Sequence, residues 1–201
     1  MKTKLPKNTV KNGRLDFIFT KEEIELATYV LRRGKSPGLD NISYEMISCL
    51  FNTKPEIIVK LFNQILKNPA NIEKWNTSMI FPIHKSGDKS NPDNYRGISL
   101  SSCFLKFFCA VLNQRLLDFV LAKNILSSSQ LGFVPGNRTS DALLILHNLI
   151  DYYCHKMKRY LYGCFVDFSK AFDTIPRQNL FQKLLDLNIC GNLRMFIQPL
   201  C

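Results

Sequence analysis

A short apolar run that ends on a carboxylate constrains the fold of this chain most. Residues 161–166 read LYGCFV, with aromatic and β-branched side chains, and Asp167 follows directly. A run of this length and composition predicts a buried strand. Asp167 would then lie at the carboxyl end of the strand, where a carboxylate can hold a divalent metal ion with oxygen ligands. The alternative is that Asp167 only caps the helix that follows.

Two strand-like segments separated by turn-forming residues give the second constraint. Residues 78–83 are apolar, residues 85–94 are rich in Gly, Ser, Asn, Asp and Pro, and residues 95–100 return as a strand. The pattern predicts an antiparallel hairpin that brings Lys85 close to Arg96. A guanidinium fork beside an ammonium point charge suits a phosphate group. The alternative is a pair of solvated cations on an exposed hairpin.

Apolar residues recur at helical spacing in most other segments, so we expect a mostly helical chain. Thr20 begins the first helix and Glu23 completes a capping box with it. Further helices are predicted to begin at Pro55, at Ser101 or Ser102, at Thr139 or Ser140, and at Pro176. The helix after Thr139 is expected to direct an inner face to the core, with Leu143, Leu144, Leu146, His147 and Ile150 on or near it.

The composition indicates which classes of partner the protein can bind. The net charge is +11, from 27 Lys and Arg against 16 Asp and Glu, which favours a polyanion such as nucleic acid. No apolar run approaches the roughly 18 residues of a membrane span, and the first residues lack a signal-peptide core. The seven cysteines have no C-x-x-C spacing, which is typical of reduced thiols. We therefore expect an intracellular protein, nuclear or cytoplasmic, with no membrane partner.

Four segments, in order along the chain, resemble reverse transcriptases of non-LTR (LINE-type) retrotransposons. They are residues 35–40 (KSPGLD), 83–100 (IHKSGDKSNPDNYRGISL), 130–136 (QLGFVPG) and 165–173 (FVDFSKAFD). The resemblance implies an α+β, right-hand polymerase fold with fingers, an incomplete palm and a short palm sheet. The basic residues up to Arg14, with no acid among them, predict a basic N-terminal arm or stub over residues 1–18. The resemblance implies fingers over 19–126 and the start of a palm over 127–201.

The resemblance also implies roles for single residues. Asp167 would be the catalytic carboxylate and a ligand of Mg²⁺, with Mn²⁺ as a substitute. Lys85 and Arg96 would contact the triphosphate of the incoming deoxynucleotide. Phe172 would pack against its sugar and exclude a 2′-hydroxyl, whereas without the resemblance it would be assigned to the core.

Two further cations are candidates for contact with a nucleic-acid backbone. Lys35 stands in a loop that a Pro-Gly pair predicts, and Arg138 follows a glycine-containing segment that lets a strand approach the main chain. For each, the alternative is an ordinary solvated surface cation.

The implied activity is RNA-directed DNA polymerisation, with an RNA template, a DNA primer and deoxynucleoside triphosphates. Two-metal catalysis places its cations about 3.5–4 Å apart, which one carboxylate cannot do. The sequence has no adjacent pair of aspartates, the later motif of the family, so we expect this chain to be inert by itself. The alternatives are a non-catalytic, basic nucleic-acid-binding remnant, or a phosphotransferase with Asp167 as nucleophile, which lacks a second acid at Ser169.

Overall fold

A computed structural model describes residues 15–68, 71–72, 75, 77–168, 171–189 and 191–200. Its elements are α1 (Lys21–Thr28), α2 (Tyr44–Thr53), α3 (Pro55–Lys67), β1 (Met79–His84), β2 (Tyr95–Leu100), α4 (Cys103–Ala122), α5 (Thr139–Ile150), α6 (Ala171–Thr174), α7 (Arg177–Asp186) and α8 (Asn192–Leu200). The chain divides into two compact units: the first comprises Met1–Phe119 and Arg177–Cys201, and the second Val120–Pro176. The division into fingers and palm, a property of the family architecture, stays a prediction.

Aromatic side chains fill the core of the first unit. The ring of Phe62 on α3 lies 5.2 Å from both Phe107 and Phe108 on α4, each time edge to face. Phe108 makes the same kind of contact with Phe19 at 5.8 Å and with Phe196 on α8 at 5.3 Å. All five rings are fully buried. Because aromatic rings prefer edge-to-face packing to direct overlap, this cluster fixes α3, α4 and α8 around one centre.

One arginine on α4 holds the segment that precedes α1. The guanidinium of Arg115 donates to three main-chain carbonyl oxygens, at 3.2, 2.6 and 3.0 Å, which belong to Leu15, Phe17 and Ile18. It also lies over the ring of Phe19, 4.1 Å from its centroid. Residues 1–14 of the predicted basic arm lie outside the described residues. The hydrogen bonds from Arg115 hold the first described residues, 15–18, against α4.

The first helix begins as predicted, but Glu23 has a different partner. Thr20 is the N-cap, and its hydroxyl accepts from the Glu23 N–H at 3.3 Å. The Glu23 carboxylate forms a bidentate pair with Arg115, through Nε and, at 2.7 Å, through Nη2. The two side chains are only 9% and 21% exposed. A guanidinium fork matches a carboxylate better than a single main-chain N–H does, so the capping box is only half formed.

Most predicted helix starts are confirmed. Pro55 opens α3, and Ser102 caps α4 by accepting from the Phe104 N–H at 3.2 Å. Helix α5 begins at Thr139, but the expectation that Thr139 or Ser140 caps it is wrong, because Arg138 is the N-cap and its N–H donates to the Asp141 carboxylate at 2.7 Å. No helix in the described ranges is long and apolar enough to cross a lipid bilayer.

Helix α2 was not predicted, although its signal is present. Ser43 is its N-cap and accepts from the Met46 N–H at 3.5 Å. Ile47 and Phe51, four residues apart, are buried on one side of the helix. A capping serine before apolar residues at this spacing is an ordinary helix signature.

The second unit does not contain the strand that residues 161–166 predicted. These residues have no regular structure, and among the described residues the sheet consists of β1 and β2 alone. Phe165 and Val166 are 86% and 73% exposed. A strand persists only where its N–H and C=O groups find partners, and the described part of this unit supplies none to this run. The predicted palm sheet is thus not observed there.

The predicted inner face of α5 is also wrong. None of the residues that the structure describes in this helix is buried, and Leu143 is 66% exposed. The apolar spacing produced the helix, but no other described element of the second unit covers it. A π-helical turn, Asp151–Lys156, continues directly from its end.

Candidate functional site

The predicted hairpin is confirmed. Strands β1 and β2 pair antiparallel, from Met79 opposite Leu100 to His84 opposite Tyr95. The ladder continues for one more bond, because the Lys85 N–H donates to the main-chain carbonyl of Asn94 at 2.8 Å. The turn therefore starts directly after Lys85, as its sequence of turn-forming residues predicted.

The register places both hairpin cations on one face. Arg96 pairs with Ile83, and side chains opposite each other in an antiparallel pair share a face. Lys85 follows Ile83 by two residues, so the period of the strand returns it to that face. Diagonal neighbours lie about 7–8 Å apart, a separation that two long side chains close easily. Both cations are exposed, and within the described part of the chain neither forms a salt bridge.

The loop between the strands is held by its own side chains. The Asp88 carboxylate accepts from the Ser90 N–H at 2.9 Å and from the Ser90 hydroxyl at 2.7 Å, and these bonds lower the pKa of Asp88. The Asn94 amide donates to the Asp88 carbonyl at 2.8 Å. Gly87 has φ +84°, and a Cβ there would lie 2.7 Å from the Asn94 Nδ2. The loop thus ends in a defined conformation immediately before Tyr95 and Arg96.

Lys35 lies in the exposed loop before α2. It lines a small pocket of about 120 Å³ together with two more cations, Arg32 and Lys106, and the apolar side chains of Val30 and Leu31. Tyr44 and Cys103 complete the lining, which is mainly apolar, so the pocket by itself does not select an anion. Arg32 is close to Lys35 in sequence, whereas Lys106 on α4 is brought to it by the fold.

The loop that begins at Lys35 is anchored to the start of α4. A Cβ on Gly38 would lie 2.7 Å from the Ser102 main-chain nitrogen and 2.8 Å from the Ser101 carbonyl carbon. The Asp40 carboxylate accepts from the Ser102 hydroxyl at 2.8 Å and from the Ile42 N–H at 3.2 Å. Sequence reasoning found the loop but not this anchor, since its partners are 62 residues apart.

The remaining predicted site residues belong to the second unit. Asp167 is exposed at the end of the unpaired run, and Arg138 is exposed at the N-terminus of α5. Phe172 lies in α6, and its side chain is outside the described residues, as are Ser169 and Lys170. The structure thus brings Lys85 and Arg96 together. That Asp167 faces them stays a prediction.

The described residues do not fit a resident metal ion by themselves. No group of three or more His, Cys, Asp or Glu side chains is gathered at one point among them, and Asp167 contributes a single carboxylate. Divalent cations in phosphoryl-transfer sites take several oxygen ligands. Additional carboxylates would be needed to hold one here.

Comparisons with known proteins agree with one another. The family model described as reverse transcriptase (RNA-dependent DNA polymerase) matches residues 83–199. A probable RNA-directed DNA polymerase from transposon BS of Drosophila melanogaster is 30% identical over 169 residues, 83% of this chain and 18% of that protein. The Pol polyprotein from the type-1 retrotransposable element R1 of Bradysia coprophila is 31% identical, over 75% of this chain and 15% of its own length. The RNA-directed DNA polymerase from mobile element jockey of Drosophila funebris is 26% identical, over 84% and 18%. This chain therefore spans less than a fifth of each of these relatives.

Proposed function

Because this chain belongs to the reverse transcriptase (RNA-dependent DNA polymerase) family, we propose that it supplies the triphosphate-binding hairpin and the first catalytic carboxylate of an RNA-directed DNA polymerase. The polymerase would extend a DNA primer on an RNA template with deoxynucleoside triphosphates. The observation that carries the proposal is the register of β1 and β2, which pairs Arg96 with Ile83 and continues to the Lys85 N–H, so that both cations belong to one face. Both residues lie inside the range that matches the family.

The two hairpin cations would bind and orient the incoming nucleotide. Phosphoryl transfer depends mainly on position and on electrostatic stabilisation of charge on the phosphate oxygens. Arg96 offers a planar fork that can bind two oxygens at once, and Lys85 adds a compact charge beside it. Because neither cation has an acidic partner among the described residues, neither must give one up to bind a phosphate.

Asp167 is proposed as the catalytic carboxylate and as a metal ligand. The family generally uses divalent metal ions, and we propose Mg²⁺, with Mn²⁺ as a substitute. When bound, such ions activate the primer hydroxyl and stabilise the leaving oxygen. Since the described residues do not complete a metal site, this role requires carboxylates in addition to Asp167.

Phe172 is proposed to select the sugar. A bulky aromatic side chain against the ribose position would exclude a 2′-hydroxyl by contact, so deoxynucleotides would be preferred.

We also propose an intracellular location, nuclear or cytoplasmic, where the five cysteines described as free thiols would stay reduced.

Lys35 and Arg138 are proposed to contact the nucleic-acid backbone. We expect Lys35→Ala to weaken binding of single-stranded RNA, and to reduce the slope of log affinity against log salt by about 0.7, one phosphate contact on a single strand. Salt-titrated fluorescence anisotropy measures both. Lys60→Ala, at an exposed lysine of α3, is the matched control, and an equal effect of the two substitutions would remove Lys35 from the contact.

A titration with dATP tests the proposed function. With the 201-residue chain labelled for NMR, dATP should shift the signals of Lys85 and Arg96 and of their neighbours on β1 and β2. The nucleotide dAMP, which lacks the two outer phosphates, should leave them unchanged at the same concentration. Shifts that are absent with dATP, or equal with both nucleotides, would contradict a triphosphate site and favour the nucleic-acid-binding alternative.

A further inference from the structure

The hairpin is not held in place by burial. Its large apolar side chains are exposed on both faces, as with Ile80, which is 69% exposed, and Phe81, which is 57% exposed. Burial is the dominant force that fixes an element against its neighbours. The orientation of the β1–β2 hairpin relative to the rest of the first unit must therefore be set where the two strands join it.

Specific contacts are concentrated at that junction. Ser78, just before β1, and Ser101, just after β2, share a hydrogen bond of 2.8 Å between their hydroxyl oxygens. Trp75 stacks on Phe104 in the first turn of α4, with ring centroids 5.6 Å apart and planes 18° apart. The first pair closes the open end of the hairpin, and the second ties the incoming chain to the helix that leaves it.

The loop at residues 35–40 braces the same junction from outside. Gly38 lies so close to the main chain at Ser101 and Ser102 that no side chain fits between them. The Ser102 hydroxyl donates a hydrogen bond of 2.8 Å to the Asp40 carboxylate, and the Ser102 oxygen in turn accepts from the Phe104 N–H. Hydrogen bonds to a carboxylate are stronger than neutral ones, so Asp40 fixes the rotamer of the residue that joins β2 to α4.

We propose that Asp40 is a positioning residue that aims the hairpin, and with it Lys85 and Arg96, through Ser102. The proposal rests on the proposed function of that hairpin. A strand of six residues is about 20 Å long, so a tilt of about 5° at its base moves its tip by about 2 Å. Displacement of a binding group by about 1 Å can cost about 100-fold in activity. The contact between Asp40 and Ser102, at the opposite end of the hairpin from the two cations, thus controls whether Lys85 and Arg96 reach the nucleotide.

Two measurements on the full chain test this role. Residual dipolar couplings report the orientation of β1–β2 relative to α4, and the NMR titration reports the Kd for dATP. We expect Asp40→Ala to rotate the hairpin and to raise the Kd about tenfold. Asp40→Asn should restore both in part, because its amide oxygen still accepts from Ile42 and its amide group can donate to the Ser102 oxygen, although that bond lacks the charge of the carboxylate.

Ser43→Ala is the matched control. It removes the serine cap of α2, whose hydroxyl accepts from the Met46 N–H and takes no part in the hydrogen bonds at the base of the hairpin, so it should lower the urea midpoint without changing the orientation or the Kd. Where Asp40→Ala does not fold, Ser102→Ala takes its place: it removes the hydroxyl that donates to Asp40 and should also rotate the hairpin. The positioning role would be overturned if the hairpin kept its wild-type orientation in Asp40→Ala or in this substitute. It would also be overturned if Ser43→Ala raised the Kd for dATP as much as Asp40→Ala does. Failure of the wild-type chain to bind dATP would count instead against the proposed function.

Discussion

Replacement of Arg115 by methionine is expected to lower the free energy of unfolding by about 3 kcal/mol, the lower end of the range for losing one partner of a buried ion pair. The lower end applies because Glu23 is still 21% exposed. The substitution leaves the Glu23 carboxylate without its partner, and the carbonyls of Leu15, Phe17 and Ile18 without their donors. Urea denaturation followed by circular dichroism measures the change.

Two control variants separate charge from geometry at this site. Arg115→Lys keeps the charge but not the planar fork, so it should recover less than half of the loss. Lys60→Met makes a similar exchange at an exposed position of α3 and should change stability by less than about 0.5 kcal/mol. A loss below about 1 kcal/mol for Arg115→Met would show that the described chain before α1 is not held by this arginine.

Gly38→Ala is the second substitution with a large expected effect, a loss of about 2–3 kcal/mol from overpacking. Its Cβ would meet three main-chain atoms of Ser101 and Ser102 at 2.7–2.9 Å. Main chain cannot rotate away as a side chain can, so the loop or the start of α4 must move. Urea denaturation measures the loss. The residual dipolar couplings that report the orientation of β1–β2 relative to α4 should also change.

Gly132→Ala is the matched control for that substitution, because a Cβ at Gly132 meets nothing within 4 Å. It should alter stability by less than about 0.5 kcal/mol. Equal effects of the two substitutions would mean that the contact between Gly38 and the main chain is absent in solution.

Local patterns explain which parts of the fold could be predicted. The hairpin followed from turn-forming residues between two strand-like runs, and its register then placed Lys85 beside Arg96. Thr20 and Ser102 predicted their helices because a cap acts on main-chain N–H groups only two or three residues away. Pro55 predicted α3 because its fixed φ suits the first position of a helix. These interactions are complete within a short stretch of sequence.

Contacts across long separations explain what could not be predicted. Arg115 binds residues 92 to 100 positions earlier in the chain, and Asp40 binds a serine 62 positions later. Neither pairing leaves a local pattern. The run at residues 161–166 has the composition of a strand, yet composition does not supply the partner whose N–H and C=O groups would pair with it.

Binding of dATP to variants of the hairpin measures whether Lys85 and Arg96 hold one triphosphate together. The wild-type chain should bind with a Kd on the order of 1 mM, as expected for a few charge-assisted hydrogen bonds without other contacts. Lys85→Ala and Arg96→Ala should each raise the Kd about tenfold, and Lys60→Ala should leave it unchanged. The double variant should be less than additive, with a coupling of at least about 0.5 kcal/mol, because both cations hold one triphosphate. Two results would contradict this expectation. One is a double variant whose loss of binding free energy equals the sum of the two single losses. The other is single variants at Lys85 and Arg96 that bind dATP as tightly as Lys60→Ala does.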